Sequence, residues 1–235
     1  MQFGYNVSKR KQEQVKGMSY QIAIDGPAGA GKSTVARAVA KKLGYIYVDT
    51  GAMYRAMALY LLRLHISSAD TDRISEASRD AVINIAYENG VQQVFLNGEN
   101  VTAYLRTEEV GNMASASSVN PDVRRKLVEL QQDLAARENV VMDGRDIGTC
   151  VLPDADVKVY LTATTACRAR RRYDELAAKG ENCDLAAIEA DIRERDERDS
   201  NREYAPLRQA DDAVLIDSSD LTIEEVIERI LALCR

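Results

Sequence analysis

Short apolar runs alternate with helical patterns along most of this chain. Between the runs, apolar residues recur every three or four positions, as at Val35, Val39 and Leu43, and this spacing predicts amphipathic helices. Strands that alternate with helices indicate an α/β fold with a five-stranded parallel sheet and helices on both faces. The runs that predict its strands are Ile22–Ile24, Tyr45–Val48, Val140–Met142, Val157–Leu161 and Ala213–Ile216.

Residues 70–118 interrupt this alternation. A polar stretch starting at Asp70 predicts a helix, the runs Val82–Tyr87 and Gln92–Leu96 predict two strands, and a third short strand is expected to begin at Val101. The turn signals between them are Glu88-Asn89-Gly90 and Asn97-Gly98-Glu99. We therefore expect a small antiparallel insert, which either shapes a substrate pocket or decorates the fold.

Polar residues at element boundaries predict where several helices begin. Thr50 is a suitable N-cap for the helix after the second strand, and Asn120 precedes Pro121 at the start of another helix. Thr222 and Glu225 have the spacing of a capping box at the start of the last helix.

The segment between the first strand and the first helix carries the strongest chemical signal. It fits G-x-x-x-x-G-K-[ST], a loop whose backbone N–H groups surround phosphate oxygens. Lys32 is expected to reach the β- and γ-phosphates of ATP, and Ser33 to ligate Mg²⁺. An ordinary glycine-rich turn is the alternative, while a dinucleotide fingerprint fits worse because Thr34 stands where glycine or alanine is needed. The predicted nucleotide-binding residues are Gly26, Pro27, Ala28, Gly29, Ala30, Gly31, Lys32, Ser33 and Thr34.

Composition and charge exclude several classes of protein. The net charge of −6 argues against a general nucleic-acid binder, and no apolar run approaches the roughly 18 residues of a membrane span. Residues 1–17 are polar and aperiodic, so we expect a disordered extension before one domain at 18–235, and a cytoplasmic location because no signal-peptide core is present. The four cysteines lack C-x-x-C spacing and predict reduced thiols, and His65 is expected on the surface.

Phosphate loops occur in switch GTPases, in ATP-driven machines and in small-molecule kinases. A GTPase carries an N-K-x-D motif, and this sequence has no Asn-Lys pair. The strand that would end in Asp-Glu in a motor ends here in Asp143-Gly-Arg145-Asp146. Asp143 can face a metal ion, and Arg145 beside it can hold an anion in addition to the phosphates of ATP. A second bound anion is expected in a kinase whose acceptor is a phosphate, so this motif favours a kinase.

Four motifs in this order resemble bacterial cytidylate kinase, a P-loop nucleoside monophosphate kinase. They are GPAGAGKST, DTGAMYR at 49–55, DGRDIGT at 143–149 and RERDERDSNR at 193–202. The resemblance begins at about residue 20 and continues to the C-terminus. It implies transfer of the γ-phosphoryl group of ATP to CMP or dCMP with Mg²⁺, by a monomer that binds neither nucleic acid nor membrane. It also implies a nucleotide-binding insert at about 70–118 and a mobile lid at about 165–182, with arginines within 168–172.

The resemblance further implies roles for individual residues. Ser115, Arg124 and Asp146 would read the cytosine edge, because a carboxylate and a hydroxyl accept from the amine while an arginine donates to the ring acceptors. Asp143 would join Ser33 at Mg²⁺. The implied catalytic residues are Lys32, Arg55, Arg145 and Arg195. The implied residues around the acceptor phosphate and sugar are Asp49, Thr50, Arg55, Arg145, Arg195, Asp199 and Arg202.

Simpler interpretations exist for several of these residues. Asp199 and Arg202 are three apart and could pair on one helix face. Ser115 lies in a run of small residues that is typical of a loop, and Arg124 taken alone is typical of an exposed helix arginine. The alternative functions are a kinase for another nucleoside monophosphate such as UMP, a regulatory protein that binds ATP without transferring phosphate, and, less favoured, an ATPase stimulated by nucleic acid.

Overall fold

The computed structural model describes residues 19–234. Its strands are β1 (Gln21–Asp25), β2 (Ile46–Asp49), β3 (Ile83–Glu88), β4 (Val91–Leu96), β5 (Glu99–Asn100), β6 (Val140–Gly144), β7 (Val157–Thr162) and β8 (Val214–Asp217). Its α-helices are α1 (Lys32–Leu43), α2 (Thr50–Arg63), α3 (Thr71–Asp80), α4 (Glu108–Ser117), α5 (Pro121–Ala135), α6 (Thr165–Ala178), α7 (Leu185–Ser200) and α8 (Ile223–Leu233). Single turns of 3₁₀ and π-helix lie at Thr102–Tyr104 and Ile147–Val151.

A parallel sheet in the order β2-β6-β1-β7-β8 forms the centre of the molecule. β1 lies in its middle, and Ile22 is opposite Val141 of β6 on one side and Val157 of β7 on the other. The predicted five-stranded parallel sheet is therefore confirmed. Because parallel strands end at the same edge, Asp25 and Asp49, the last residues of their strands, lie at the edge where such sheets bind ligands.

Helices cover both faces of the sheet and bury its apolar residues in two clusters. On one face, Val35 and Val39 of α1 pack with Ile230 of α8. On the other face, Met53 of α2 packs with Leu127 of α5. Each of these large side chains is almost fully buried, which contributes about 1.5–3 kcal/mol per residue to folding. The three layers hold the strand ends in fixed positions.

The insert is an antiparallel sheet in the order β3-β4-β5, as predicted. Asn89 and Gly90 both have positive φ, of 52° and 75°, and this conformation forms the tight turn between β3 and β4. The third strand was predicted to begin at Val101, which is wrong. β5 ends one residue earlier, and Val101 is buried and begins the turn into Thr102–Tyr104.

The predicted helix caps differ in outcome. Asn120 caps α5, since its side chain accepts from the N–H groups of Asp122 and Val123, and the capping box at Thr222 is present as predicted. The prediction of Thr50 as the cap of α2 is wrong. Asp49 has extended backbone angles and its Oδ1 accepts from the N–H of Ala52 at 2.8 Å, so the helix begins one residue earlier.

Other predictions concern the chain as a whole. The predicted disordered extension, residues 1–17, lies outside the described residues. Among residues 19–234, no helix is long and apolar enough to cross a lipid bilayer. The cysteines at 150, 167, 183 and 234 are free thiols, and His65 is exposed, both as predicted.

Candidate active site

The phosphate loop links β1 to α1 and surrounds the side chain of Lys32. Gly26 has a φ of 145°, and a Cβ atom on it would lie 1.9 Å from the carbonyl oxygen of Leu161, so only glycine fits there. Gly31 precedes α1 with a φ of 88° and offers no capping side chain. The first N–H groups of the helix therefore remain available to an anion. Lys32 is buried, and its Nζ donates to the carbonyl oxygen of Pro27 at 2.7 Å.

Lys32 is a cation in a site that disfavours positive charge. Burial and the neighbouring guanidinium of Arg145 lower the pKa of Lys32 well below its usual range, although Asp143 and Asp25 act in the opposite direction. An anion bound in the loop would relieve this unfavourable environment. The electrostatics at Lys32 thus fit a site for a phosphate group.

Ser33 and Asp143 lie together beside the loop. The hydroxyl of Ser33 donates to Oδ2 of Asp143 at 2.7 Å, and the hydroxyl of Tyr47 donates to Oδ1 at 2.9 Å. Burial and the nearby carboxylate of Asp49 raise the pKa of Asp143, which a cation would reverse. Hydroxyl and carboxylate oxygens are ligands that Mg²⁺ accepts, so the pair fits this ion. Residues 19–234 contain no group of three or more His, Cys, Asp or Glu side chains that could hold a metal ion, so phosphate and water would have to supply the other ligands.

A cleft of about 260 Å³ runs from the phosphate loop toward the insert. Two carboxylates in the lining of this cleft hold arginines. Asp49 pairs with Arg55 at 3.1 Å, and Asp199 pairs with Arg145 at 2.9 Å and with Arg202. The alternative pairing of Asp199 with Arg202 is thus present, but both residues also face the cleft. Among residues 19–234, the arginines that line the cleft are Arg55, Arg106, Arg124, Arg145, Arg195 and Arg202.

Positive charge exceeds negative charge at the centre of the cleft. Desolvation and the nearby charge of Arg145 lower the pKa of Arg195. The guanidinium of Arg195 makes no hydrogen bond or salt bridge with any described residue. Burial opposes ionisation of Asp199, but the charges of Arg145 and Arg202 outweigh it and lower the pKa of this carboxyl. A cluster of this kind is a binding site for a multiply charged anion.

Arg124 and Asp146 form a buried pair deep in the cleft. Arg124 is only 3% exposed and donates to Asp146, so the interpretation of Arg124 as an exposed helix residue is wrong. Burial raises the pKa of Asp146, although Arg124 opposes the rise. Paired guanidinium and carboxylate groups present both donors and acceptors to a planar heterocycle.

Ser115 faces the same cleft from the insert. It belongs to α4, so the interpretation of its small-residue run as a loop is wrong. Its hydroxyl accepts from Arg198 of α7 at 3.3 Å, a contact that links the insert to α7. Thr50 is buried in the lining of the cleft, and its hydroxyl donates to the carbonyl oxygen of Asp143 at 2.7 Å, which links the start of α2 to the end of β6.

The arginines predicted for a lid have different environments. Arg168 is buried and donates to the carbonyl oxygens of Ala28 and Ala163, and it pairs with Asp196 at 2.5 Å. Arg171 donates to the carbonyl oxygen of Ser218. These two arginines hold α6 against the rest of the protein. The exposed arginines of this segment are Arg170 and Arg172.

Several residues of the site were not predicted from the sequence. Tyr54 and Arg106 line the cleft, and the hydroxyl of Tyr54 is a buried group without a partner among the described residues. Gln92 of β4 bonds both the N–H and the carbonyl of Asp49, which ties the insert to the site. Tyr54 lies within DTGAMYR and could have been found from that motif, whereas Gln92 carries no sequence signal.

Comparison with known proteins agrees with this geometry. The family model described as cytidylate kinase matches residues 22–235. Cytidylate kinase from Caldicellulosiruptor saccharolyticus is 52% identical over 212 residues, which cover 90% of this chain and 94% of that protein. The enzyme of the same name from Lactobacillus johnsonii is 48% identical over 217 residues, 92% of this chain and 94% of that protein. Among solved structures, shikimate kinase from Bacteroides thetaiotaomicron superposes with a TM-score of 0.45 at 14% sequence identity, over 91% of this chain and 97% of that one. A structural similarity this low supports no conclusion about function. The family match spans nearly the whole chain, and the protein belongs to the cytidylate kinase family.

Proposed function

We propose that this protein transfers the γ-phosphoryl group of ATP to CMP or dCMP, forming ADP and CDP or dCDP. The observation that carries the proposal is that one cleft joins a phosphate loop, a cluster of arginines and the buried Arg124–Asp146 pair. Phosphate loop and arginines suit two anionic substrates, and the buried pair suits a base. Membership of the cytidylate kinase family supports CMP as the acceptor.

The donor nucleotide would bind at the phosphate loop. The N–H groups at the start of α1 and the Nζ of Lys32 would hold the β- and γ-phosphates. Ser33 and Asp143 would hold Mg²⁺, which when bound neutralises phosphate charge. Because Lys32 is buried, its charge acts on the phosphates with little screening by water.

The acceptor is already a phosphate that is mostly ionised near pH 7, so no strong general base is required. Catalysis then consists of positioning and of stabilising charge on the transferring group. Arg55, Arg145 and Arg195 would bind the acceptor phosphate and direct its oxygen toward the γ-phosphorus. Asp49 orients Arg55, and Asp199 orients Arg145, so both guanidinium groups are fixed before substrate arrives. Arg202, Asp199, Asp49 and Thr50 would surround the phosphate and sugar.

The base would be read by Asp146, Arg124 and Ser115. The carboxylate and the hydroxyl accept from the N4 amine of cytosine, and Arg124 donates to its ring acceptors. Uracil has an oxygen in place of that amine and would leave Asp146 facing an acceptor. An unmatched buried polar group costs about 1–3 kcal/mol, which gives roughly ten- to hundredfold discrimination against UMP.

The lid remains a prediction for residues 165–182. Arg168 and Arg171 already hold α6 in place, so the exposed Arg170 and Arg172 are our candidates for closing over the phosphoryl group. Closure would also exclude water, which otherwise hydrolyses ATP.

The test is ADP formation from ATP and Mg²⁺ with CMP, dCMP, UMP and AMP in parallel assays. We expect rapid release with CMP and dCMP and at least about tenfold less with UMP and AMP. Equal rates with CMP and UMP would be consistent with the proposed kinase activity but would contradict the proposed roles of Asp146 and Ser115 in base recognition. A folded protein that releases no ADP in response to any acceptor would instead be a regulatory ATP-binding protein.

A further inference from the structure

Asp25 is a buried carboxylate that contacts neither substrate in the proposed function. It is the last residue of β1 and is only 4% exposed. Its Oδ1 accepts from the N–H of Ile147 and its Oδ2 from the N–H of Gly148, each at 2.7 Å. Both oxygens are therefore used by two successive backbone N–H groups from a distant part of the chain.

These two N–H groups begin the π-helical turn that directly follows Asp146. The first N–H groups of a helix lack partners within it, and a side chain usually supplies one. The side chain of Asp146 does not cap this turn, because it pairs with Arg124 instead. Asp25 thus caps the turn in place of Asp146, and the carboxylate of Asp146 remains free to face the cleft.

The contact is rigid on both sides. Asp25 is followed by Gly26, the first residue of the phosphate loop, and the sheet holds its backbone between β6 and β7. A Cβ atom on Gly148 would lie 3.4 Å from Oδ2 of Asp25 and 3.2 Å from the Lys158 side chain, so the turn packs closely on the carboxylate. A small rotation of the turn would therefore be resisted by both hydrogen bonds and packing.

We propose that Asp25 is a positioning residue for base recognition, which acts through Asp146. By fixing the backbone after Asp146, it sets the direction of the carboxylate that accepts from the cytosine amine. A carboxylate suits this position because two donors face it, whereas asparagine offers one acceptor oxygen and directs its NH₂ group at the second N–H. This inference rests on the proposed function and extends it to a residue outside the cleft.

The test uses the full chain with Asp25→Asn, alone and combined with Asp146→Ala. The measurements are kcat/KM for CMP and for UMP, and KM for ATP. With Asp146 present, we expect Asp25→Asn to lower the ratio of CMP to UMP efficiency about tenfold or more while KM for ATP changes less than about threefold. In the Asp146→Ala background, Asp25→Asn should change the CMP efficiency less than about twofold, because effects that act through one contact are not additive.

Thr222→Ala is the matched control, since it removes another helix cap at a residue that does not line the cleft. It should lower stability and leave the ratio of CMP to UMP efficiency unchanged. Equal losses for CMP and UMP in Asp25→Asn, or the same loss in both backgrounds, would overturn the inference. A wild-type protein without preference for CMP over UMP would overturn the proposed function itself, which separates the two failures.

Amide exchange in the wild-type protein tests the same contact without a variant that must fold. The N–H groups of Ile147 and Gly148 should be strongly protected in NMR hydrogen-exchange experiments, since both are buried and bonded to Asp25. Exchange as fast as that of an exposed loop at these two amides would show that Asp25 does not hold the turn, and would overturn the inference.

Discussion

Replacing Lys32 separates its role in turnover from its effect on the fold. Lys32 is 6% exposed, and among the described residues its Nζ has one hydrogen-bond partner, the carbonyl oxygen of Pro27. Burial and the charge of Arg145 lower its pKa well below the usual range. A lysine whose pKa is lower in the folded than in the unfolded state destabilises the fold at all pH values below the folded pKa. Stability then rises with pH between the two pKa values.

Lys32→Met keeps the length of the side chain and removes its charge. Turnover should fall by about 10²–10³-fold or more, because the lost charge stabilises the transferring phosphates. The free energy of unfolding should rise by about 1–3 kcal/mol, since the penalty of a buried charge exceeds the value of one hydrogen bond. Opposite changes in activity and stability cannot arise from general damage to the fold.

The two quantities are measured by ADP release with CMP and by urea unfolding at pH 7. Lys41→Met is the control, because Lys41 is an exposed lysine of the same helix. It should leave turnover unchanged and alter stability by less than about 1 kcal/mol. A folded Lys32→Met protein with turnover within about tenfold of wild type, or with stability that falls together with activity, would refute this reasoning.

Three further predictions follow from the buried carboxylates and arginines. Asp146→Asn should shift the ratio of kcat/KM for CMP to that for UMP by about ten- to hundredfold in favour of UMP, because an amide NH₂ can donate to the O4 of uracil. Steady-state kinetics with both acceptors measure this ratio, and an unchanged ratio would exclude Asp146 from the base pocket. Burial raises the pKa of Asp25 to about 6, above its unfolded value, so its contribution to stability falls as pH rises through this range. Relative to Asp25→Asn, the wild type should lose up to about 3 kcal/mol between pH 4 and 7 in urea unfolding, and parallel pH profiles would contradict the shift. Arg168→Leu removes the buried guanidinium that pairs with the partly exposed Asp196 and donates to the carbonyl oxygens of Ala28 and Ala163, and should cost about 1–3 kcal/mol in thermal unfolding. Arg170→Leu, the exposed control, should cost less than about 0.5 kcal/mol.

Features that depend on neighbouring residues could be predicted from the sequence. The strand Ile22–Ile24, the phosphate loop after it and the capping box at Thr222 all follow from patterns within a few positions. The Asn-Gly turns of the insert also follow, because only residues that tolerate positive φ fit them. Errors occurred where two adjacent residues compete for one role, as at Asp49 and Thr50, because either side chain can cap a helix and the backbone angles decide between them.

The order of the elements, the parallel sheet and the chemistry of the phosphate loop could be predicted from the sequence, since each depends on short-range periodicity or on a contiguous motif. The burial of Arg124 against Asp146, and the cap that Asp25 provides for the turn after Asp146, became visible in the folded protein alone. The burial of a side chain and the partner it contacts both depend on residues that lie far apart in the chain. A pattern read along the sequence contains the charges of these residues but not the distances between them.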